Sequence, residues 1–380
     1  MNFDLTEEQQ FIRKTAREFA VNELVEGAVE RDQNKIWPQE QINMLSGMGF
    51  MGMMVDPAWG GGGLDTISYS IVMEEIARAD ASCSVVVSVN NSLVCYLLEK
   101  YGSNHIKEKY LKELATGKKL GAFSLSEPQS GSDASNMNTF ARKDGKEYII
   151  NGTKNWVTNG INSDYVIVFA ITDKEKLSKG ISCFIVEKGF QGLTCGKAED
   201  KLGIRSSDTC ELYFDDVRVP EENMIGQDGD GFKIALSTLD GGRIGIASQA
   251  LGIAQAALDK SVEYSKLRVQ FNKPISANQG IQFKLADMEM EINAARLMIY
   301  SAGWHKDNCK PFSHLASQAK VYASEVAMRA ATNCVQIHGG YGYIVETGVE
   351  RLMRDAKITQ IYEGTSEIQR VVIARHLLKG

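Results

Sequence analysis

The spacing of apolar residues changes twice along this chain, and that double change limits the fold more than any other feature. Up to about Lys118 the apolar residues recur at helical spacing, short β-rich runs then alternate with turn residues as far as Pro220, and long helical patterns return after Gly229. A chain of 380 residues is also long for a single core. We therefore predict an α+β fold with an N-terminal all-α domain (1–118), a middle β-barrel domain (119–229) and a C-terminal four-helix bundle (230–380).

The N-terminal third carries clear helix signals. Thr6 and Gln9 form a potential capping box, and a helical face follows at Phe11, Ile12, Ala16, Phe19, Ala20 and Leu24. A short helix is predicted after Trp37-Pro38, and further helices over 68–77 and 81–101. The four glycines 60–63 predict an irregular loop. This loop lacks the Lys-Ser/Thr pair of a phosphate-binding P-loop, so a plain surface loop is the favoured interpretation.

The middle and C-terminal parts show opposite patterns. Asn151-Gly152 predicts a two-residue turn joining strands 147–150 and 153–158 into a hairpin. Further strands are expected at 165–171, 181–187, 193–196 and 211–219, with Pro220 ending the run. Helices near 25 residues long are expected at 244–267, 281–305 and 315–337, with shorter ones at 349–358 and from Gly364 onward.

Composition excludes several classes of function. A net charge of -6 and a pI near 5.6 do not suggest a nucleic-acid-binding protein. The longest apolar runs fall short of the roughly 20 residues of a membrane span, and the N-terminus has no signal or transit character, so a cytoplasmic protein is expected. Seven scattered cysteines predict free thiols rather than disulfides or a zinc framework, and no metal site is expected.

Three segments carry candidate chemistry, and each also has a structural interpretation. Tyr362-Glu363-Gly364 places a carboxylate on a short connector, from which a base could be aimed. The alternative is a helix stop, with Gly364 in the left-handed conformation and Thr365 or Ser366 capping the next helix. The small residues of 123–133 could approach a flavin or a phosphate, or form a polar surface loop. Trp156-Val157-Thr158 could contact a ligand or pack within a sheet.

Taken together, these segments resemble the acyl-CoA dehydrogenase family. The motifs that carry the resemblance are Ser126-Glu127-Pro128-x-x-Gly131-Ser132-Asp133, Trp156-x-Thr158, Arg268-x-Gln270-Phe271, Gln336-x-x-Gly339-Gly340 and Tyr362-Glu363-Gly364-Thr365-Ser366. They occur in the order and spacing of the family and span nearly the whole chain. The segments 240–252 and 361–370 are most similar to the short-chain (butyryl-CoA) branch.

The resemblance implies an FAD-dependent enzyme that converts an acyl-CoA thioester to a trans-2-enoyl-CoA. Glu363 matches the base that removes the α-proton, while the β-hydrogen leaves as hydride to the flavin N5. Because an ordinary carboxylate is too weak a base for a thioester α-proton, burial should raise its pKa. The family polarises the thioester carbonyl with the backbone N–H at the position of Glu363 and a ribityl hydroxyl of FAD.

The resemblance also implies binding residues and partners. Substrate contacts are expected from Ser132, Asp240, Arg243, Tyr362 and Gly364. Arg268, Phe271, Gln279, Gln336, Gly339 and Gly340 match positions that hold the FAD of a neighbouring subunit, so a homotetramer, a dimer of dimers, is expected. Electrons should pass to an electron-transferring flavoprotein. The full set of expected FAD-binding positions is Phe123, Leu125, Ser126, Gly131, Ser132, Trp156, Val157, Thr158, Arg268, Phe271, Gln279, Gln336, Ile337, Gly339, Gly340, Thr365, Ser366 and Glu367.

Several alternatives stay open at this level. The enzyme could run as an enoyl-CoA reductase or prefer medium-length chains. A pocket closed by the helix carrying Ser88, Asn90, Asn91 and Leu93 and by the helix starting near Arg243 is expected to favour short chains. A chain ending at Gly380 is not expected to be an acyl-CoA oxidase, because oxidases of this superfamily usually carry a further C-terminal domain. The isovaleryl-type and long-chain branches place the base at the position of Gly242, which cannot serve as one. An inactive scaffold with the same fold is the remaining rival.

Overall fold

The computed structural model describes residues 4–378 and places a mixed β-sheet between two helical regions. This arrangement confirms the fold class expected from the sequence. The N-terminal helices are α1 (Glu7–Phe19), α2 (Ala28–Asn34), α3 (Gln39–Gly47), α4 (Thr66–Ala79), α5 (Ala81–Ser88), α6 (Tyr96–Tyr101), α7 (Asn104–Ile106) and α8 (Lys112–Ala115).

Helix α1 begins with the capping box that the sequence indicates. The Gln9 N–H donates to Thr6 Oγ1 at 3.2 Å, and the Thr6 N–H donates to Gln9 Oε1 at 3.1 Å. The predicted apolar face is wrong at Phe11, whose side chain is 70% exposed, whereas Ala16 and Phe19 are buried. Five residues separate Phe11 from Ala16, which rotates Phe11 by about 140° away from the buried face.

Helices α5 and α6 are joined by a π-helical segment, Val89–Cys95, into one continuous buried element. Its span, Ala81–Tyr101, is long and apolar enough to cross a membrane by length and composition, but 94% of the apolar window is buried inside the protein. It is therefore a core helix of the folded chain. The Gly60–Gly63 loop is irregular, as predicted, with left-handed φ at Gly60 and Gly63.

The strands are β1 (Gly121–Ser124), β2 (Phe140–Asp144), β3 (Glu147–Thr158), β4 (Tyr165–Ile171), β5 (Ile181–Glu187), β6 (Leu193–Cys195), β7 (Thr209–Pro220), β8 (Met224–Ile225), β9 (Val269–Gln270) and β10 (Lys273–Pro274). In the main sheet the order is β6-β7-β3-β2-β4-β5-β8, and β1 pairs with β4 in parallel. Strands β9 and β10 form a separate two-stranded ribbon.

The predicted hairpin at Asn151-Gly152 is wrong, because β3 runs through both residues without a turn. The real hairpin joins β2 to β3 through Gly145, whose φ is +63°. At Gly152 the pairing with β7 shifts register instead, and a β-carbon there would lie 2.7 Å from Thr139. Asn151 therefore lies opposite a β-bulge on β7, where Asp215 and Asp216 face this single residue.

The C-terminal region consists of α9 (Gly231–Leu267), α10 (Gln279–Asp307), α11 (Ser313–His338), α12 (Val349–Ile358) and α13 (Ser366–Leu377). Helix α9 begins at Gly231 rather than at the predicted Ile244. The glycines between Gly231 and Ile244 weaken the helical pattern in the sequence. Gly242 is required by close packing, since a β-carbon there would collide with neighbouring side chains. The long helices pack through an alanine-rich core.

The largest hydrophobic core crosses the boundary between sheet and helices. It includes Phe169 and Ile185 from the sheet, Leu93 from the π-helical segment, and Ile244 from α9. The loop before β7 is fixed to α12, where the Ile204 N–H donates to the buried Asp355 carboxylate at 2.6 Å. The connector after α12 is thereby held at the junction of the three regions.

Candidate active site

Glu363 lies on the connector between α12 and α13. Its φ is +52°, in the left-handed region that non-glycine residues rarely occupy, and Gly364 follows with φ +92°. Such strain costs on the order of 1–3 kcal/mol and persists only where the surroundings impose it. Thr365 caps α13 by accepting from the Ile368 N–H. The helix-stop and base interpretations are thus compatible, because left-handed Gly364 and the cap at Thr365 fix the connector that carries Glu363.

The carboxylate of Glu363 lies directly against Gly242 on α9. A β-carbon added at Gly242 would collide with Glu363 Oε2 and would lie 3.0 Å from Cδ, and it would also lie 2.8 Å from Leu93 Cδ2. Only glycine leaves room for the carboxylate between α9 and the π-helical segment. Positions 242 and 363, at which the resemblance places the base in different branches, are therefore adjacent in space.

The environment of this carboxylate favours its protonated form more than water does. Glu363 Oε2 is buried and has no hydrogen-bond partner in the described part of the chain. Burial raises the pKa of Glu363 to about 7, against the opposing charges of Lys320 and Arg243. A carboxylate with this pKa can hold or release a proton near neutral pH, as a general base requires.

Two donors hold the backbone that carries Glu363. The buried Lys320 Nζ donates to the Gly364 carbonyl at 2.7 Å. Gln369 Nε2 donates to the carbonyls of Glu363 and Gly364 at 3.1 and 2.8 Å. The Glu363 N–H donates to no group between residues 4 and 378, so this donor is left for an outside acceptor.

Tyr362 anchors the connector on its other side. Its hydroxyl donates to Gln249 Oε1 on α9, and Gln249 Nε2 donates to the Ala81 carbonyl at 2.8 Å. Burial raises the pKa of Tyr362 well above its usual value. The phenol is therefore a neutral structural donor that fixes the connector to two helices.

On α9, next to Gly242, the buried Arg243 pairs with the half-buried Asp240. Arg243 Nη1 donates to Asp240 Oδ1 at 2.5 Å and to Ser317 Oγ at 3.2 Å, while Arg243 Nε has no partner within residues 4–378. Burial lowers the pKa of this guanidinium. The pair borders the Glu363 pocket and leaves one polar hydrogen for a ligand.

The residues expected to close the pocket separate into two sets. Leu93 and Ser88 adjoin Gly242 and Gly245, with a β-carbon on Gly245 lying 2.7 Å from Ser88 Oγ. Asn90 and Asn91 are directed elsewhere: their amides bond the backbone at Met51 and Met53, at 2.8 Å in each case. The asparagines therefore hold a loop, and only the first pair faces the α9 glycines.

The loop that follows β1 is fixed by a buried ion pair. Lys154 Nζ donates to Glu127 Oε1 at 2.8 Å, and the N–H groups of Asn138 and Thr139 donate to the same carboxylate at 2.5 and 3.0 Å. Burial opposes ionisation, but Lys154 and these hydrogen bonds lower the pKa of Glu127 to about 2. Gly131 and Ser132 lie further along this anchored loop and are exposed.

Trp156 lies at a register shift between β3 and β7. Its φ is +59° and its side chain is 63% exposed, so the bulge directs the indole out of the sheet. Val157 is buried in the sheet core, so only its backbone can meet a ligand. Thr158 is half-buried at the end of the strand.

The remaining expected cofactor positions lie on the surface, around the end of α11 and the start of α10. The Arg268 guanidinium lies 5.7 Å from the Tyr341 ring, which joins it to the turn that carries Gly339 and Gly340. Phe271 is 91% exposed, and Gln279 and Gln336 are also exposed. Ile337 is buried and can serve only as support.

These residues fit a flavin nucleotide. Trp156 offers an exposed flat ring, and β-carbons at Gly131, Gly339 and Gly340 would meet nothing within 4 Å, so backbone there is open to close approach. At the start of α13, the buried Ser366 Oγ has no partner in residues 4–378. An oxygen-rich ligand could satisfy it beside the exposed Glu367.

Sequence reasoning missed Lys320, Gln369 and Lys154. Gln369 belongs to the quoted C-terminal motif but was given no role. Lys320 and Lys154 each lie within runs of apolar or β-type residues, and a lysine at a position where the pattern requires burial is the signal that could have found them.

Comparison with known proteins gives full-length matches. Residues 6–118, 122–217 and 229–378 match the models of the N-terminal, middle and C-terminal domains of acyl-CoA dehydrogenase. The chain is 49% identical over 377 residues to the mitochondrial short-chain specific acyl-CoA dehydrogenase of Rattus norvegicus, covering 99% of this chain and 92% of the relative.

Solved structures are equally similar. Butyryl-CoA dehydrogenase from Megasphaera elsdenii superposes with a TM-score of 0.98 at 50% identity, over 100% of both chains. A chain in the structure described as "Electron transferring flavoprotein of Acidaminococcus fermentans: Towards a mechanism of flavin-based electron bifurcation" gives a TM-score of 0.99 at 48% identity, again over 100% of both.

Proposed function

The chain belongs to the acyl-CoA dehydrogenase family, and from that premise we propose that it oxidises short-chain acyl-CoA thioesters, butyryl-CoA best, to trans-2-enoyl-CoA. The observation that carries this proposal is the Glu363 carboxylate, which is buried, has an unpartnered oxygen and lies against Gly242. A carboxylate kept from hydrogen bonds retains its basicity for a substrate proton.

In this proposal Glu363 removes the α-proton, and its own backbone N–H donates a hydrogen bond to the thioester carbonyl oxygen. Charge develops on that carbonyl oxygen as the proton leaves, and a fixed N–H stabilises it more than mobile water does. Lys320 and Gln369 support this role by fixing the backbone that follows. Tyr362, Gly364, Asp240, Arg243 and Ser132 remain the proposed substrate contacts.

FAD is the proposed cofactor, and when bound it supplies a two-electron acceptor for the β-hydride. The open glycines and the exposed Trp156 support the assignment of the binding residues. In the same chain we assign Phe123, Leu125, Ser126, Gly131, Ser132, Trp156, Val157, Thr158, Thr365, Ser366 and Glu367. To the neighbouring subunit's cofactor we assign Arg268, Phe271, Gln279, Gln336, Ile337, Gly339 and Gly340.

A homotetramer and an electron-transferring flavoprotein are the proposed partners. On α10 the apolar side chains of Phe283, Met290, Leu297 and Trp304 recur every seven residues and are 60, 62, 51 and 45% exposed. A stripe at that spacing is typical of a helix that packs against another helix. The Acidaminococcus match supports the electron partner. The cytoplasmic location and the domain limits 1–118, 119–229 and 230–380 stay predictions.

The preference for short chains is supported by the close packing beyond the carboxylate. Gly245 adjoins Ser88 and Tyr69, and the Tyr362–Gln249 hydrogen bond crosses the same region. Each buried CH₂ contributes only about 0.8 kcal/mol, so steric closure rather than lost attraction must reject long chains.

Anaerobic flavin bleaching by acyl-CoA thioesters of increasing length tests the proposal. The purified protein should be yellow with stoichiometric FAD, and butyryl-CoA should give the highest kcat/KM, with acyl groups beyond about eight carbons poor. A higher value for octanoyl-CoA would assign a medium-chain enzyme. Stoichiometric peroxide from O₂ would indicate an oxidase, and a folded FAD-containing protein that no acyl-CoA reduces would contradict the function. Crotonyl-CoA with a reduced flavoprotein donor tests the reverse, reductive direction.

A further inference from the structure

Lys320 on α11 is a buried lysine without a carboxylate partner. Its side chain is 0% exposed, and no ion pair involves it in the described chain. Within residues 4–378, the only hydrogen bond of its side chain goes to the Gly364 carbonyl at 2.7 Å. Burying an unpaired ammonium is costly, and a packed apolar side chain would avoid that cost. A lysine at this place therefore requires an explanation beyond packing.

The groups that face Lys320 identify what its charge acts on. Glu363 on the connector and Glu367 on α13 favour the charged ammonium, whereas Arg243 on α9 opposes it. Of the two carboxylates, Glu363 raises the pKa of Lys320 more than Glu367 does. In turn, among the charged groups that lower the pKa of Glu363 against the effect of burial, Lys320 has the largest effect. Tyr69 on α4 and Tyr362 also face this carboxylate, as neutral phenols.

We propose that Lys320 is a positioning residue for Glu363: its ammonium holds the Gly364 carbonyl, and its charge keeps part of the carboxylate ionised at neutral pH. This inference rests on the proposed function of Glu363 and extends it. Since Lys320 does not bond the carboxylate, it adds charge without occupying the oxygen that must accept the substrate proton.

Lys320 is distinguished from the other donor by its charge. Gln369 holds the same Gly364 carbonyl and also that of Glu363, but it is neutral. Removal of Gln369 should loosen the connector and leave the ionisation of Glu363 unchanged. Removal of Lys320 should alter both. Burial lowers the pKa of Lys320 to about 7, so the pair is expected to show two coupled ionisations in the same range as the proposed reaction.

The test compares Lys320→Met, Lys320→Gln and Gln369→Leu with the wild type. Both Lys320 variants lose the charge, but glutamine keeps a hydrogen-bond donor. The matched control is Lys306→Met, because Lys306 is a half-buried lysine whose pKa is also lowered, to about 8, but it does not act on Glu363. The rate of flavin reduction by butyryl-CoA is measured against pH for each protein.

In both Lys320 variants the apparent pKa for reduction should rise by about one unit. The rate at pH 7 should fall about fivefold and recover at high pH, with little change in KM. Lys306→Met and Gln369→Leu should keep the wild-type pKa. Infrared difference titration reports the protonated carboxyl directly, without turnover, and the band absent from Glu363→Gln assigns it.

An unchanged carboxyl titration in a folded Lys320→Gln protein would overturn the inference, as would a rate loss equal at every pH. Lys320→Gln keeps a donor for Gly364, so this arm stands even where Lys320→Met does not fold. A failure of this inference can be distinguished from a failure of the proposed function. A wild-type enzyme that is not reduced by any acyl-CoA removes the function, whereas normal reduction with no shift removes only the role of Lys320.

Discussion

Glu127 and Glu363 are both buried carboxylates with a buried lysine nearby, yet their chemistry is opposite. Glu127 bonds Lys154 at 2.8 Å and accepts two backbone N–H groups, and its pKa falls to about 2. Glu363 has a buried oxygen without a partner in the described chain, because Lys320 bonds the Gly364 carbonyl instead. The pKa of Glu363 rises to about 7. Hydrogen bonds, rather than residue type or burial, therefore separate a structural anchor from a carboxylate that can serve as a base.

The largest effect is expected from Glu363→Gln. Glutamine has nearly the same size but no basicity, so flavin reduction by butyryl-CoA should fall by about 10³-fold or more while acyl-CoA still binds. Stopped-flow absorbance measures the reduction, and spectral titration with acyl-CoA verifies binding. Turnover within tenfold of the wild type would mean that another group takes the proton.

The next effect concerns the anchor. Lys154→Met leaves the Glu127 carboxylate buried and unpaired, which should lower the free energy of unfolding by about 3–5 kcal/mol. In the double variant with Glu127→Gln much of this loss should be recovered, because no uncompensated charge remains. Urea denaturation at pH 7 measures Lys154→Met, Glu127→Gln, the double variant and the wild type. Additive losses would show that the pair does not act as a unit.

A smaller effect is expected at Gly242, which lies against the Glu363 carboxylate. Gly242→Ala places a methyl group against the Glu363 carboxylate, and displacement of the base by about 1 Å can lower the rate about 100-fold. Gly241→Ala is the matched control, since the added carbon would lie 3.9 Å from Lys306 and meet nothing closer. Equal rates for the two variants would contradict the close contact.

The last prediction also concerns stability, and its sign differs between the two glutamates. A raised pKa means that ionised Glu363 destabilises the fold as pH rises from about 4.5 through 7. A lowered pKa means that Glu127 stabilises the fold above about 4.5 and loses this contribution as pH falls toward 2. At pH 8, Glu363→Gln should therefore raise the thermal midpoint and Glu127→Gln should lower it. A shift in the same direction for both, in a thermal scan, would contradict the contrast.

The sequence predicts one of these glutamates better than the other. Glu363 could be singled out from its connector and motif, and the order of helices and strands followed from periodicity. The roles of the two lysines could not be found, because Lys154 reaches the Glu127 carboxylate and Lys320 reaches the Gly364 carbonyl only through tertiary packing. Asn151-Gly152 shows the same limit, since the pair lies within an unbroken strand opposite a bulge of β7, a pairing that the local sequence does not show. Phe11 likewise matched the helical pattern loosely and is exposed.

The most direct test of the account is the pH dependence of flavin reduction by butyryl-CoA in the wild-type enzyme. The base must be ionised to accept the α-proton, so the rate should rise with pH through a midpoint near the Glu363 pKa of about 7, and Glu363→Gln should remove this rise. A rate that is constant from below pH 5 to pH 9, or a rise that persists in Glu363→Gln, would show that Glu363 is not the base.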